Sequence, residues 1–252
     1  MLASDGAPEL GFNERLRAFT QEIEYREAVI DAERENIYKL RYVSYQRAGM
    51  LQPGAPEYFK DSYDQTENGK TFGLYLESRL AASIRVHIAS QRLPIAPALT
   101  VYSDYLQPLL DKSKIIVDPT RHVVDATEGR RYPKLPYATV RVAWMACEHY
   151  SADYVLATIH EAHQAFYWRI FGRTMASEAR LYPGIAKPVF LLVWDYRQVR
   201  DRVHSRYPYL TSTENERQAI FGSMSGFVGV KRAASSNAAS HGAMDALGVK
   251  QI

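Results

Sequence analysis

The segment Asp118-Pro-Thr-Arg121-His-Val-Val-Asp125 constrains this chain more than any other. It follows an apolar run, Ile115-Ile-Val117, so residues 115–124 read as a buried strand holding a proline and two charges. Charges inside such a strand cost too much to desolvate unless they are paired or used. In a regular strand Asp118 and Arg121 face opposite sides, because their separation is odd. Bringing both to one site requires a bulge or bend, and Pro119, which has no N–H for a ladder, makes one plausible. Further charges lie upstream: Arg41 and Tyr45 in a helical pattern, Asp61-Ser-Tyr-Asp64 in a loop, and Arg85 in Ala82-Ser-Ile-Arg-Val86. Together they read as a built site rather than a solvated surface.

Bulk properties narrow the classes that such a site can serve. The 252 residues suffice for one large domain or two small ones. At 46% hydrophobic and 23% charged, the composition is that of a soluble globular protein. The balance of 31 basic and 28 acidic residues argues against nucleic acid as a partner, which favours a basic stripe. It leaves room for a modest basic patch and an acidic partner. The single cysteine, Cys147, permits no disulfide framework and fits a reducing cytoplasm. It shares a helical face with Val140, Ala143 and Trp144 and reads as core. The first residues lack the basic start and apolar stretch of a signal peptide. No apolar run reaches the ~18 residues of a membrane span. His160-Glu-Ala-His163 is one residue short of the helical zinc spacing, so no metal is expected.

Along the chain, residues 1–12 read as a flexible arm and 13–222 as one domain. Residues 13–49 are helical in pattern, with Asn13 as cap and a break near Asp31. Residues 71–76 and 81–88 form a predicted hairpin through Glu77-Ser-Arg79. Residues 93–114 are irregular with a short helix, and 115–124 a strand. A basic loop over 128–136 precedes an amphipathic helix over 137–150. A strand over 154–158, a helix over 161–171 stopped by Gly172, and a strand over 189–195 follow. Residues 223–252, rich in Ala, Ser and Gly, read as a flexible tail. Strands and helices interspersed in this way predict a single α/β or α+β domain.

This order resembles the GNAT acyltransferase fold, a central mixed sheet flanked by helices. The charged residues resemble those of the acyl-homoserine-lactone (autoinducer) synthases and the related N-acyl amino acid synthases. Arg41 with Tyr45 is similar to their arginine followed four residues later by an aromatic. Asp61-Ser-Tyr-Asp64 is similar to their Asp-x-x-Asp. Ala82-Ser-Ile-Arg85 keeps the arginine of Gly-x-x-Arg without the glycine. Asp118-Pro-Thr-Arg121 resembles Glu-x-Ser-Arg. The tryptophan expected after the first aromatic is absent and residues 52–60 differ, which brings the chain closer to the N-acyl amino acid synthases.

The resemblance implies transfer of a medium or long acyl group to the amine of an amino acid or similar small amine. The co-substrate is acyl-carrier protein, or acyl-coenzyme A, with no bound cofactor. Asp118, Arg121 and Arg85 are read as catalytic and Arg41, Tyr45, Asp61 and Asp64 as holding the substrate, the alternative being an ordinary ion-pair network that orders the N-terminal helix against the sheet. Thr127-Glu-Gly-Arg-Arg-Tyr-Pro-Lys134 has one glycine and three cations, unlike a glycine-rich pyrophosphate loop. Arg130, Arg131, Lys134 and Arg141 therefore either meet an acidic carrier or its phosphopantetheine or form a solvated basic loop. Asp118 either accepts the amine proton, which requires a raised pKa, or bridges to Arg85 or Arg121 as a structural pair. The cluster Phe166, Tyr167, Trp168, Ile170 and Phe171 is core or the wall of an acyl tunnel. An autoinducer synthase using S-adenosylmethionine and a non-catalytic acyl- or carrier-binding protein are the other readings.

Overall fold

A computed structural model describes residues 11–174 and 177–222. The elements run α1 (Phe12–Gln21), β1 (Glu24–Glu27), α2 (Asp31–Arg47), β2 (Gly69–Leu76), β3 (Arg79–Ala89), α3 (Leu99–Asp111), β4 (Ile116–Val124), α4 (Ala126–Arg131) and α5 (Leu135–His149). Then come β5 (Tyr154–Ile159), α6 (Gln164–Phe171), β6 (Phe190–Asp195), α7 (Tyr196–Arg206) and α8 (Glu214–Phe221). The strands form one sheet in chain order, β1 to β6. Every neighbouring pair is antiparallel except β4 and β5.

That parallel pair decides the architecture. β4 and β5 are paired only at Ile116–Tyr154 and Val117–Val155. Beyond those two rungs β4 stays with β3, β5 stays with β6 out to Ile159–Phe190, and the two strands part. Pro119, two residues past the last rung, brings no N–H to continue the ladder. The sheet therefore opens as a fork in its middle.

Side-chain alternation gives the sheet two different faces. Ile84, Val86, Ile88, Val117, Val155, Ala157 and Ile159 join the main core against α5. Ala89, Ile116, Tyr154, Leu156 and Leu191 pack against α3. α5 is buried from Ala138 through Cys147 without a break, not along a stripe. Its outer side is covered by α1, α8 and a 3-10 turn at Pro208–Leu210. Burial all round replaces the amphipathic reading.

Three further expectations are corrected. The 13–49 region is two helices, the second beginning at Asp31 where the break was expected, with the unexpected edge strand β1 between them. Its first helix begins at Phe12 after Gly11, while the Asn13 side chain donates to Arg206 O at 3.0 Å. Residues 93–114 carry the thirteen-residue α3, with Pro108 inside and a kink at Tyr102. The basic 128–136 loop is partly α4, capped by Asp125, which accepts from Thr127 N and Glu128 N. The hairpin turn has both Glu77 and Ser78 at positive φ (48° and 64°), as a two-residue I′ turn requires. The expected arm, apart from residues 11 and 12, and the expected tail lie outside the described residues. Among the described residues no helix is long and apolar enough to cross a membrane.

Candidate active site

The α3-side face of β3 and β4 carries the charges, and α2 lies across it. The side chains meet there because β4 has a bulge. Ser83 opposes Val123 and Arg85 opposes Thr120, so Ile84 alone faces both Arg121 and His122. Arg121 sits at φ 54°, the left-handed region, and is the extra residue. Consecutive residues thus reach one cluster: Thr120 Oγ1 accepts from Arg85 Nε at 3.1 Å, and Arg121 bonds Asp61. The bend that the odd 118–121 separation required is present. It lies at Arg121, while Pro119 keeps its register opposite Val86.

Five charged side chains interlock. Asp61 accepts from Arg85 at 2.6 and 3.1 Å and from Arg121 at 2.6 Å. Asp64 accepts from Arg41 at 2.8 Å and lies 2.9 Å from Arg85. Arg41 also donates to Thr71 Oγ1 at 3.2 Å. The Asp-x-x-Asp spacing works because Ser62–Gln65 is a 3-10 turn capped at both ends. Asp61 Oδ1 accepts from Tyr63 N, and Asp64 Oδ2 accepts from Asp61 N. Burial alone would raise both carboxyls. Arg85 and Arg121 outweigh it at Asp61, and Arg41 and Arg85 at Asp64, so both are held below the usual range. These aspartates are anions already engaged and do not serve as proton acceptors. Three guanidiniums face two carboxylates, which leaves one positive charge. The Arg121 guanidinium lies 4.3 Å from the Phe59 ring centroid and 5.6 Å from Tyr45. His87, beneath the network, is pushed down to about 3 by burial and then by Arg85, and is neutral at pH 7.

Asp118 stands apart from that network. It is fully buried and pairs with neither Arg85 nor Arg121. Its Oδ2 accepts from Ala98 N at 2.9 Å, at the start of α3, where a helix favours an anion. Its Oδ1 has no partner. Burial pushes its pKa up to about 6 against the pull of the Ala98 bond and the Arg85 charge. It sits one residue past the last β4–β5 rung, at the root of the fork. A carboxyl titrating near neutrality with a free oxygen is equipped to exchange a proton.

Residues 36–195 match the family described as N-acyl amino acid synthase FeeM. The chain belongs to that family. The matched span holds every charged residue of the network and Asp118. Among solved structures, FeeM itself, from uncultured soil microbes, is 17% identical with a TM-score of 0.59, over 71% of this chain and 93% of that one. The fold is the GNAT fold and the protein is an acyltransferase. A coenzyme A-dependent acyl-homoserine lactone synthase, BjaI, in complex with MTA, is 17% identical with a TM-score of 0.49, over 74% and 89%. An acyl-CoA N-acyltransferase from Pseudomonas aeruginosa is 17% identical with a TM-score of 0.45, over 68% and 97%. No curated protein matches in sequence.

In this FeeM-family chain the other side of the fork is aromatic and uncharged. His122 Nδ1 lies 3.3 Å from Tyr167 Oη. Burial, then the nearby His163, pushes His122 down to about 4, so it is neutral at pH 7. Phe166 and Tyr167 are half-buried beside it, Trp168 is half-buried with Arg173 over its ring, and Ile170 and Phe171 belong to the core. The basic residues divide. Arg130 and Arg131 are exposed on α4, where Arg131 lies 3.3 Å from Glu77, and Lys134 lies over the Phe19 ring. Arg141 does not join them. It is buried in α5 and donates to Tyr209 O at 2.7 Å, Thr211 O at 3.0 Å and Glu216 at 2.9 Å, fastening α8 to the core. Its place on an all-round buried helix removes it from any docking rim. Thr120, in the motif but given no role, proves to hold Arg85, and sequence reasoning missed Phe59 and Tyr182; of these two, Tyr182 carried a local sign, the Pro183-Gly184 turn that follows it.

Proposed function

We propose that this acyltransferase moves a medium or long acyl chain from an acyl carrier protein to the amine of an amino acid or similar small amine. One observation carries the reading: a buried carboxyl with a free oxygen, Asp118, stands at the root of the fork beside a network with one uncompensated guanidinium. An amino acid brings an ammonium and a carboxylate, which match those two features. Its carboxylate suits the surplus positive charge of the network at Arg121, whose Nη1 remains beside the Asp61 bonds, and its ammonium suits Asp118.

The chemistry follows from the placement. The thioester lies between β4 and β5, where β4 beyond Val117 has no partner strand on that side. Backbone N–H groups there serve as donors to the oxyanion. Asp118 takes one proton from the ammonium, and the freed amine attacks the thioester carbon. The C–N bond forms, the C–S bond breaks, and the thiolate leaves with the second proton. Arg130, Arg131 and Lys134, at the open end of the fork, favour an acidic carrier over free coenzyme A. Mass spectrometry of lipid extracts from bacteria expressing the chain, beside an Arg121→Ala control, tests the reading. New N-acyl amino acids found only with the intact protein are expected. No new amide, in cells or with purified acyl-carrier protein and the twenty protein amino acids, contradicts it.

A further inference from the structure

A second buried polar group faces this site, from a loop no sequence motif assigned. Arg180 and Val189 exchange both backbone hydrogen bonds at 2.9 Å and close the loop 180–189. Arg180 fixes it to α3 through Val101 O at 2.8 Å and Asp104 at 2.7 Å. Within it Ile185 N donates to Tyr182 O at 3.0 Å across Pro183 and Gly184. Gly184 has φ 76°, as the third position of a type II turn demands. The turn delivers the Tyr182 ring into a cluster with Phe59, Ile185 and Val189. Phe59 is the ring that lies against Arg121.

Tyr182 is 8% exposed, yet its Oη has no partner. Asp118, fully buried, likewise leaves Oδ1 unpartnered. Such atoms are costly unless something satisfies them. Burial holds the Tyr182 hydroxyl protonated, and the group that adds most to this is the Asp118 charge. Geometry ties the two together: Val101 packs against the Tyr182 cluster, its N–H bonds Ala98 O at 3.2 Å, and Ala98 N holds Asp118 Oδ2 at 2.9 Å, so both groups lie at the first turn of α3.

We propose that Tyr182 binds the acceptor amine directly, its Oη and Asp118 Oδ1 receiving two N–H groups of the same ammonium. The inference rests on the acyl-transfer reading and adds the residue that aims the nitrogen. When Asp118 takes its proton, Tyr182 keeps hold of the second N–H. The nitrogen lone pair is then turned toward the thioester carbon. After C–N formation and C–S cleavage, the second proton leaves with the thiolate sulfur, and Asp118 returns its own to solvent.

Tyr182→Phe in the full chain tests this, because it keeps the packed ring and deletes only Oη. The twenty protein amino acids are offered singly with dodecanoyl-carrier protein, and the fastest is carried forward. The expected result is a KM for that amino acid raised about 10- to 100-fold, the loss of one hydrogen bond to a charged group. The KM for the thioester is unchanged and Tm is unchanged or higher. A merely structural tyrosine would lower Tm and leave the amino-acid KM alone. Wild-type turnover with Tyr182→Phe kinetics within twofold overturns the inference but not the reaction. Absence of wild-type turnover overturns the reaction. Tyr182 is then judged by calorimetric binding of the same amino acids, where equal affinity in both proteins, or none in either, overturns the inference too.

Discussion

The two sides of β4 differ sharply in how they treat charge. Toward α2, five charged side chains are interlocked pair by pair from Arg41 to Arg121, and two carboxyls are held ionised. Toward α6, the ionisable groups are stripped of charge: His122 is neutral, and burial raises the Tyr167 phenol. Asp118 belongs to neither régime. It is buried like the aromatics, close enough to feel Arg85, and poised near pH 6. A reaction that joins a charged amine to a greasy thioester needs both surroundings, and one strand supplies the wall between them. The difference teaches that one strand separates a face built from ion pairs from a face built from rings, which the proposed reading takes as its acceptor and donor halves.

Breaking the charged half should have the largest effect. Asp64→Ala leaves Arg41 and Arg85 buried with too few anions, and urea unfolding should show a loss of about 3–5 kcal/mol. A loss below about 1 kcal/mol would mean the network is not a structural unit. Next comes Asp118→Asn, expected to lower kcat about 10²- to 10⁴-fold while the chain stays folded. Its stability has a defined pH signature. The folded pKa of Asp118, about 6, lies above the ordinary 3.8. The group therefore favours folding below pH 4, and that contribution is lost as pH rises through 6. Asp61 and Asp64 act oppositely, losing their contribution as pH falls below the usual carboxylate range. Between pH 4.5 and 7 the Tm of Asp118→Asn should gain on wild type, and parallel curves would contradict the assignment. A smaller effect is expected at the open end of the fork. Replacing Arg130 and Arg131 by glutamate should raise the KM for an acyl-carrier protein and flatten its salt dependence, leaving the acyl-coenzyme A KM unchanged. The smallest belongs to the aromatic half. His122→Phe should leave the pH–rate profile unmoved, because a group titrating near 4 contributes nothing above pH 6.

The sequence made the charged half easier to read than its frame. Arg85, Asp118 and Arg121 stood out because ionisable residues inside apolar runs demand an explanation, and the runs themselves marked β2 to β6. The need for a bulge was legible in the odd 118–121 spacing. Its position was not, since it depends on how β4 meets Ile84 across the sheet. β1 escaped notice because Glu24-Tyr-Arg-Glu27 is a short polar edge strand held by its pairing with β2. α7 and α8 escaped for the same reason: their places are set by partners, as Arg141 and Glu216 show. Arg141 looked like one more cation beside Arg130, Arg131 and Lys134 until tertiary cover turned it inward. Phe59 and Tyr182 carry no charge and reach the site through two different loops, one tied to α2 by Phe59 N and Tyr38 O, the other held by α3.

The account turns on Asp118 as the group that receives the amine proton, and the pH profile of kcat/KM for the amine tests it most directly. Wild type should show a limb rising through about pH 6 that Asp118→Asn lacks. The same limb in both proteins, or none in wild type, would contradict it.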